Sequence, residues 1–195
     1  IGRIQMLQER GTMADALPDT EALLQLAPDD KVYQYYHQLA KGETPAFVPV
    51  ELTTRMFDDM ASTYDIHMVR GLSYHLPEQV AAQLVAAYPD RRFNLLDLGC
   101  GTGLLGIYLG PIDGYIVGVD MSSKMLEQAA KHKVYYRFHQ VNLLEALEAT
   151  ADNLFDVITA LDVLIYVGDL EKVIANAHRV LTPGGRLIFS CEHGD

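Results

Sequence analysis

From about residue 90 onward the chain alternates short, nearly continuous apolar runs with longer stretches whose apolar residues recur at helical spacing. The runs FNLLDL (93–98), YIVGVD (115–120), VYYRFHQV (134–141), FDVITA (155–160) and RLIFSC (186–191) predict five strands. They are apolar on both faces, as strands covered by helices on each side should be. Between them, 103–109, 122–131 and 169–181 predict helices, with Ser122 placed as an N-cap. Pro183-Gly184-Gly185 predicts a stop and a tight turn before the last strand. Right-handed crossovers then give an α/β fold, a doubly wound Rossmann-like parallel sheet that binds ligands at the carboxyl ends of its strands.

Residues 1–89 show helical periodicity and no convincing strand. Helices are predicted over 19–27, 29–41 (closed by Gly42), 50–61 and 77–88, with Pro49 and Pro77 at starts that tolerate proline. GETPAFVP (42–49) reads as a linker, which divides the chain into a helical appendage, 1–48, and a main domain, 49–195. LLQLAPDD (23–30) is similar to the end of a tetratricopeptide unit. The ~34-residue period cannot be laid over residues 1–42 without a gap, so at most one degenerate repeat is present and an ordinary helical hairpin is the plainer reading.

Composition narrows the function. A chain of 195 residues holds one full domain and a small appendage, and its 49% hydrophobic and 21% charged residues are a folding composition. The net charge of −11 argues against a nucleic-acid partner, which needs clustered Lys and Arg. No apolar run approaches the ~18 residues of a membrane span and no signal-peptide pattern opens the chain, so a cytoplasmic location is expected. Cys100 and Cys191 are too few for a disulfide framework and too separate for a metal pair, and read as reduced thiols. His67, His75 and His193 share neither a segment nor metal-ligand spacing, so no metal is expected. The chain starts at Ile1 and stops just after a predicted strand, which reads as a fragment.

The chemistry is carried by LLDLGCGTGLLG (95–106). Counted from Gly101 it is G-x-G-x-x-G, a dinucleotide fingerprint; counted from Asp97 it is D-x-G-x-G-x-G. A glycine-rich turn into a helix offers backbone N–H groups to any anion, so the glycines alone do not choose. Asp97 does. A pyrophosphate beside it would cost about 3 kcal/mol for each like-charge pair at ~5 Å and an effective dielectric of ~20. S-adenosylmethionine brings an ammonium and a sulfonium instead. Asp120, ending the second predicted strand, can take both ribose hydroxyls of either ligand.

Leu96–Gly103, VGVDMSSKMLEQA (117–129), FDVITALDVLIYV (155–167) and LTPGGRLIFS (181–190) resemble the successive motifs of the class I methyltransferases dependent on S-adenosylmethionine, over residues 93 to 191. FDDMASTYDIHMVRGLSYHLPEQV (57–80) before them is similar to a segment of bacterial methyltransferases associated with tetratricopeptide repeats, although a complete repeat is lacking. The resemblance implies sheet order 3-2-1-4-5 and S-adenosylmethionine as cofactor, held by Asp97, Gly99, Cys100, Gly101 and Gly103 of the loop and by Asp120. Cys100 is a small side chain tolerated between glycines rather than a nucleophile. Met121 resembles the family's apolar residue on the adenine, with core filling as the alternative. Asn142 is placed to read the adenine amino group, with Leu143 offering a backbone N–H; a turn-capping Asn is the plain alternative. Leu161 and Asp162 end the fourth strand beside the methyl donor, Asp162 serving ligand or loop. Phe57 and Tyr64, seven apart, share one face of a predicted helix, which either packs on the domain or, with Gly71 as hinge, covers the cofactor. The family's sheet normally ends in two further strands, without which 186–191 is expected to be an unprotected edge.

Methyl transfer by in-line displacement needs alignment more than acid–base groups, and orientation can supply ~7–11 kcal/mol. No residue is therefore assigned as catalytic. The expected acceptor is a small molecule, and the N-terminal helices could carry a protein partner. Two other readings stay open: a non-catalytic module that binds S-adenosylmethionine or a helical partner, and a dinucleotide-dependent oxidoreductase, which Asp97 disfavours.

Overall fold

The computed structural model describes residues 1–45, 48–167 and 170–191. The chain divides into two compact units, Ile1–Thr54 and Arg55–Asp195.

The first unit contains α1 (Gly2–Glu9), α2 (Leu17–Leu26) and α3 (Lys31–Ala40) around a core of Ile4, Leu7, Ala16, Tyr36 and Ala40. Asp30 caps α3, its carboxylate accepting from the backbone N–H of Val32 at 2.8 Å and of Tyr33 at 3.0 Å. α1 is not evident in the sequence pattern, because its apolar positions are few and its outer face is polar. The described residues of 42–49 form no helix or strand; Ala46 and Phe47 lie outside them. α4 (Val50–Met60) spans the boundary between the units.

In the second unit α5 (Leu76–Ala87) leads into the sheet: β1 (Leu95–Leu98), α6 (Leu104–Leu109), β2 (Ile116–Asp120), α7 (Ser123–Lys131), β3 (Arg137–Gln140), α8 (Leu143–Ala149), β4 (Phe155–Ala160), α9 (Leu170–Val180) and β5 (Leu181–Phe189). The strands run parallel in the order β3-β2-β1-β4-β5, as expected from the sequence. Strand periodicity sorts their side chains. Leu95, Ile116 and Val157 pack with Leu84 of α5 and Leu105 and Leu109 of α6, whereas Leu96, Val117 and Ile158 pack with Leu147 of α8 and Ala177 of α9. Each such fully buried aliphatic side chain contributes roughly 1.5–3 kcal/mol relative to exposure.

From β1 onward the structure departs from the expected elements in three places. β3 is a four-residue edge strand whose Arg137, His139 and Gln140 are exposed, so only Phe138 of its side chains packs on the core. Pro183-Gly184-Gly185 does not precede β5 but lies within it: Leu181 pairs with Phe155 and Arg186 with Val157, and the intervening residues bulge out with Gly184 at φ +82°. α8 was not expected; the Asn142 side chain starts it by accepting from the Leu144 N–H at 2.8 Å. β5 is the other edge of the sheet, with Phe189 exposed. No helix among the described residues is long and apolar enough to cross a membrane.

Candidate functional site

The loop from β1 to α6 is built by conformations that side chains resist. Gly101 has φ +52° and open space where a Cβ would stand, so the backbone there lies bare beside a small cavity. Gly106, the third glycine of the dinucleotide spelling, serves packing: a Cβ on it would lie 2.5 Å from Cε2 of Tyr135. The cavity is lined by Tyr64, Tyr74, Pro77, Asp97, Gly99, Cys100, Gly101, Thr102, Leu104, Leu105 and Leu161. The structure thus gathers seven of the residues singled out in the sequence (Tyr64, Asp97, Gly99, Cys100, Gly101 and Leu161 on the wall, Gly103 at the start of α6).

Asp97 is 3% exposed, yet among the described residues it has no cationic partner. Oδ1 accepts from the Thr159 hydroxyl at 2.7 Å and Oδ2 from the Tyr135 hydroxyl at 2.6 Å. Burial pushes its pKa up to about 6; the two hydroxyls oppose that rise, and the like charge of Asp120 adds to it. Asp120 sits where β2 ends, its Oδ2 accepting from the Gly101 N–H at 2.9 Å and Oδ1 from the Ser122 N–H at 2.8 Å. Its pKa is also raised, by burial first, against the lowering effect of those backbone bonds. Each oxygen keeps a lone pair for a further donor.

Met121 and Asn142 meet, with Asn142 Nδ2 3.9 Å from the Met121 sulfur. The Asn142 carbonyl oxygen is engaged in capping α8, so its remaining lone pair is what a ligand N–H could use. The Leu143 side chain is buried in the core. Cys100 is buried, and burial followed by Asp97 and Asp120 drives its thiol pKa well up, which leaves it a poor nucleophile.

The stretch before α5 bounds the cavity in a way the sequence pattern did not reveal. Phe57 and Tyr64 do not share one helix: α4 ends at Met60, a turn follows, and Ile66–Gly71 is a π-helix. Their rings nevertheless meet at 6.3 Å, and Phe57 meets Tyr166 at 5.6 Å, both edge to face. Asp58 accepts from the Ser122 hydroxyl at 2.5 Å and from the Lys124 N–H at 3.3 Å. Asp65 accepts from the Thr102 hydroxyl at 2.5 Å. The Tyr74 hydroxyl bonds to Asp162, whose backbone N–H and carboxylate both engage Ser190 Oγ at 2.6 Å. Tyr64 is pushed up to about 12, chiefly by burial and then by Asp162, and Tyr74 is raised too, so both phenols stay neutral. Asp58, Asp65, Tyr74, Tyr135 and Thr159 were missed in the sequence because their roles arise from contacts between distant segments; all but Tyr135 lay in stretches already noted for their resemblance, which does not reveal those contacts.

No group of histidines, cysteines and acids among the described residues could hold a metal ion, and His75 pairs with Glu78 at 3.3 Å. His193 lies outside the described residues. A buried anion without a counter-ion, a bare glycine turn and a carboxylate at the end of the next strand together fit a ligand with an amino group and a sugar diol. They do not suit a pyrophosphate, which would face Asp97.

Residues 96–187 match the family model described as a methyltransferase domain. The chain is 37% identical over 144 residues to the "Ubiquinone biosynthesis O-methyltransferase" of Hahella chejuensis, covering 72% of this chain and 57% of that protein. It spans about half the length of the curated relatives it matches. Among solved structures, the DhpI–SAH complex superposes with a TM-score of 0.55 at 24% identity, over 71% of this chain and 67% of that one. The [4+2]-cyclase SpnF superposes with a TM-score of 0.59 at 22% identity, over 73% and 60%. At such identities the structures establish the shared Rossmann-like fold.

Proposed function

We infer that the chain is a class I methyltransferase dependent on S-adenosylmethionine, and we propose that it moves the methyl group to a small-molecule acceptor. The observation that carries this reading is Asp97, an ionisable carboxyl sunk in the wall of a glycine-lined cavity, with hydroxyl partners and no cation among the described residues. An ammonium brought by the ligand completes that arrangement. In this reading Asp97 binds the amino group, the Gly99–Gly103 turn admits the amino-acid tail, and Asp120 binds the ribose diol. Met121 lies along the adenine, and Asn142 with the Leu143 N–H reads its edge. Tyr64 and Leu161 close the side toward the reacting centre. When bound, S-adenosylmethionine supplies a methyl group activated by its sulfonium. The chain's contribution is then to orient donor and acceptor and to exclude water, and no residue is assigned as a base. The similarity to enzymes named O-methyltransferases favours an oxygen acceptor.

The segment 57–80 further supports placing the chain among methyltransferases associated with tetratricopeptide repeats. Helices α1 to α3 would then present a surface to a protein partner from the appendage 1–48, beside a catalytic domain running from 49 onward. A cytoplasmic location fits this reading.

Calorimetric titration with S-adenosylmethionine, S-adenosylhomocysteine and NADH tests the ligand: the first two should bind and NADH should not. Tight NADH binding would overturn the assignment. A protein described as a cyclase shares the fold, so turnover has to be measured separately. Methyl transfer from labelled donor to a panel of hydroxylated small molecules should be detected; donor binding without transfer to any of them would favour a non-catalytic module.

A further inference from the structure

Asp97 stands where the sheet interior meets the glycine loop, and the register of β1 decides what surrounds it. β1 places Asp97 opposite Thr159 of β4 and opposite Gly118 of β2. Residues paired in register project to the same face, so the Thr159 hydroxyl reaches Oδ1 at 2.7 Å. Gly118 contributes no side chain, and a Cβ there would meet the Cys100 sulfur at 2.8 Å. The second oxygen, Oδ2, receives the Tyr135 hydroxyl at 2.6 Å from just ahead of β3. Tyr135 is held firmly: it is 9% exposed, and its ring stacks on Phe138 at 5.0 Å. Asp97 lines the cavity, whereas Tyr135 and Thr159 do not. Both hydroxyls therefore reach the carboxylate from behind.

One hydroxyl donating to each oxygen suits the ionised carboxylate. A protonated carboxyl turns one oxygen into a donor and a poorer acceptor, which weakens one of the two bonds as they stand. Among the described residues the other groups facing Asp97 supply no positive charge: Asp120 from the end of β2, the Cys100 thiol from the loop, and the Tyr74 phenol from ahead of α5.

We propose that Tyr135 and Thr159 are positioning residues of the donor site, which hold Asp97 as an anion at the cavity wall and so make the site select a ligand whose amino group is cationic. The proposal rests on the donor reading above. Neither residue touches the ligand; both act through Asp97. The sign of the effect follows from the bonds. Burial raises the pKa of Asp97 to about 6, and the two hydroxyls oppose that rise. Removing either hydroxyl raises it further. A larger fraction of Asp97 is then protonated near neutral pH, and that proton must leave before an ammonium can bind.

The test is calorimetric titration of the full chain with S-adenosylhomocysteine between about pH 5.5 and about pH 8.5. Two buffers of different ionisation enthalpy at each pH give the protons released on binding. In the wild type, affinity should fall and proton release appear below about pH 6, the pKa of Asp97. Tyr135→Phe and Thr159→Val should move both features to higher pH, lowering affinity near pH 7 by roughly two-fold to fifteen-fold, with recovery toward the wild type at the alkaline end. Thr159→Ser keeps the hydroxyl and should keep the wild-type profile. The deaminated analogue of S-adenosylhomocysteine should show neither the pH dependence nor the proton release.

A uniform loss of affinity in the variants, with proton release unchanged, would mean that the two residues only support the fold and would overturn the proposal. Variants that reproduce the wild-type profile would overturn it as well. Wild-type protein that fails to bind S-adenosylhomocysteine at any pH overturns the donor reading itself, so the two failures are distinct. Should Tyr135→Phe fail to fold, as judged by circular dichroism, the comparison of Thr159→Val with Thr159→Ser decides the question.

Discussion

The Thr102 hydroxyl, 1% exposed inside the glycine loop, donates a 2.5 Å hydrogen bond to the carboxylate of Asp65 in the stretch that precedes α5. Asp58 makes the equivalent bond to Ser122, the residue that caps α7. The loop after β1 and the loop after β2 are thus each tied by a carboxylate to one segment, 58–65. A bond to a charged group is worth roughly 1.5–3 kcal/mol. Thr102→Val, which keeps the shape and removes the donor, should accelerate amide exchange across residues 61–75 in the apo protein and weaken S-adenosylhomocysteine. The ligand should slow the same amides in the wild type, and Tyr64→Ala should weaken the ligand with little change in apo Tm. Exchange indifferent both to the substitution and to the ligand would make this segment ordinary core.

Asp120 has two tasks that one substitution separates. Its oxygens already hold the Gly101 and Ser122 N–H groups at 2.9 and 2.8 Å, and the proposed function gives their remaining lone pairs to a ligand diol. Asp120→Ala removes both functions and should weaken S-adenosylhomocysteine by ten-fold or much more, on the order of 1.5–3 kcal/mol for each charge-assisted bond. Asp120→Asn keeps one acceptor and should fall between the two in a calorimetric series. Equal affinity for all three folded proteins would remove Asp120 from the site.

The parts of this site that were legible in the sequence are those written locally. The glycine turn, Asp97 and Asp120 declare themselves because a strand end, a bare backbone and an acid at set spacing leave few other uses. Runs that are apolar on both faces pointed to the parallel sheet, and the resemblance implied its order. What stayed hidden depends on pairs far apart in the chain: Thr159 matters only because β1 and β4 run in register, and Tyr135 only because Gly106 makes room for its ring. β3 misled because VYYRFHQV has apolar composition, whereas an edge position exposes Arg137, His139 and Gln140. The bulge in β5 misled for the opposite reason. Proline and glycine signal a break, but an edge strand can loop four residues out and resume its pairing at Arg186.

The two thiols should differ sharply in reactivity. Cys191 is exposed, whereas Cys100 is buried between glycines with its pKa raised by burial and by Asp97 and Asp120. Alkylation of the native protein near pH 8 should modify Cys191 rapidly and Cys100 only on unfolding, which peptide mass spectrometry can resolve. Rapid labelling of Cys100 would show an activated thiol and reopen a nucleophilic role for it.

Asp97 should be a residue whose charge costs stability and serves binding. Its folded-state pKa, about 6, lies above that of an ordinary carboxyl, so between about pH 4 and 6 the folded protein binds more protons than the unfolded chain. The contribution of this group to stability is therefore full below the unfolded value and is lost as pH rises through the folded one. A shift of about two units corresponds to roughly 3 kcal/mol at most. Other carboxylates shape the stability profile of the whole protein, so the informative quantity is the difference between the wild type and Asp97→Asn. Asn removes the charge and still offers an acceptor to one hydroxyl. In the apo state the difference in Tm should favour the variant increasingly as pH rises from about 4 to above 6, and then level off. With saturating S-adenosylhomocysteine the order should reverse, because the ligand stabilises only the protein that binds it. A variant less stable than the wild type at every pH without ligand would identify Asp97 as a structural acid whose bonds to Tyr135 and Thr159 hold the sheet together, and the assignment of its charge to the ligand would fail.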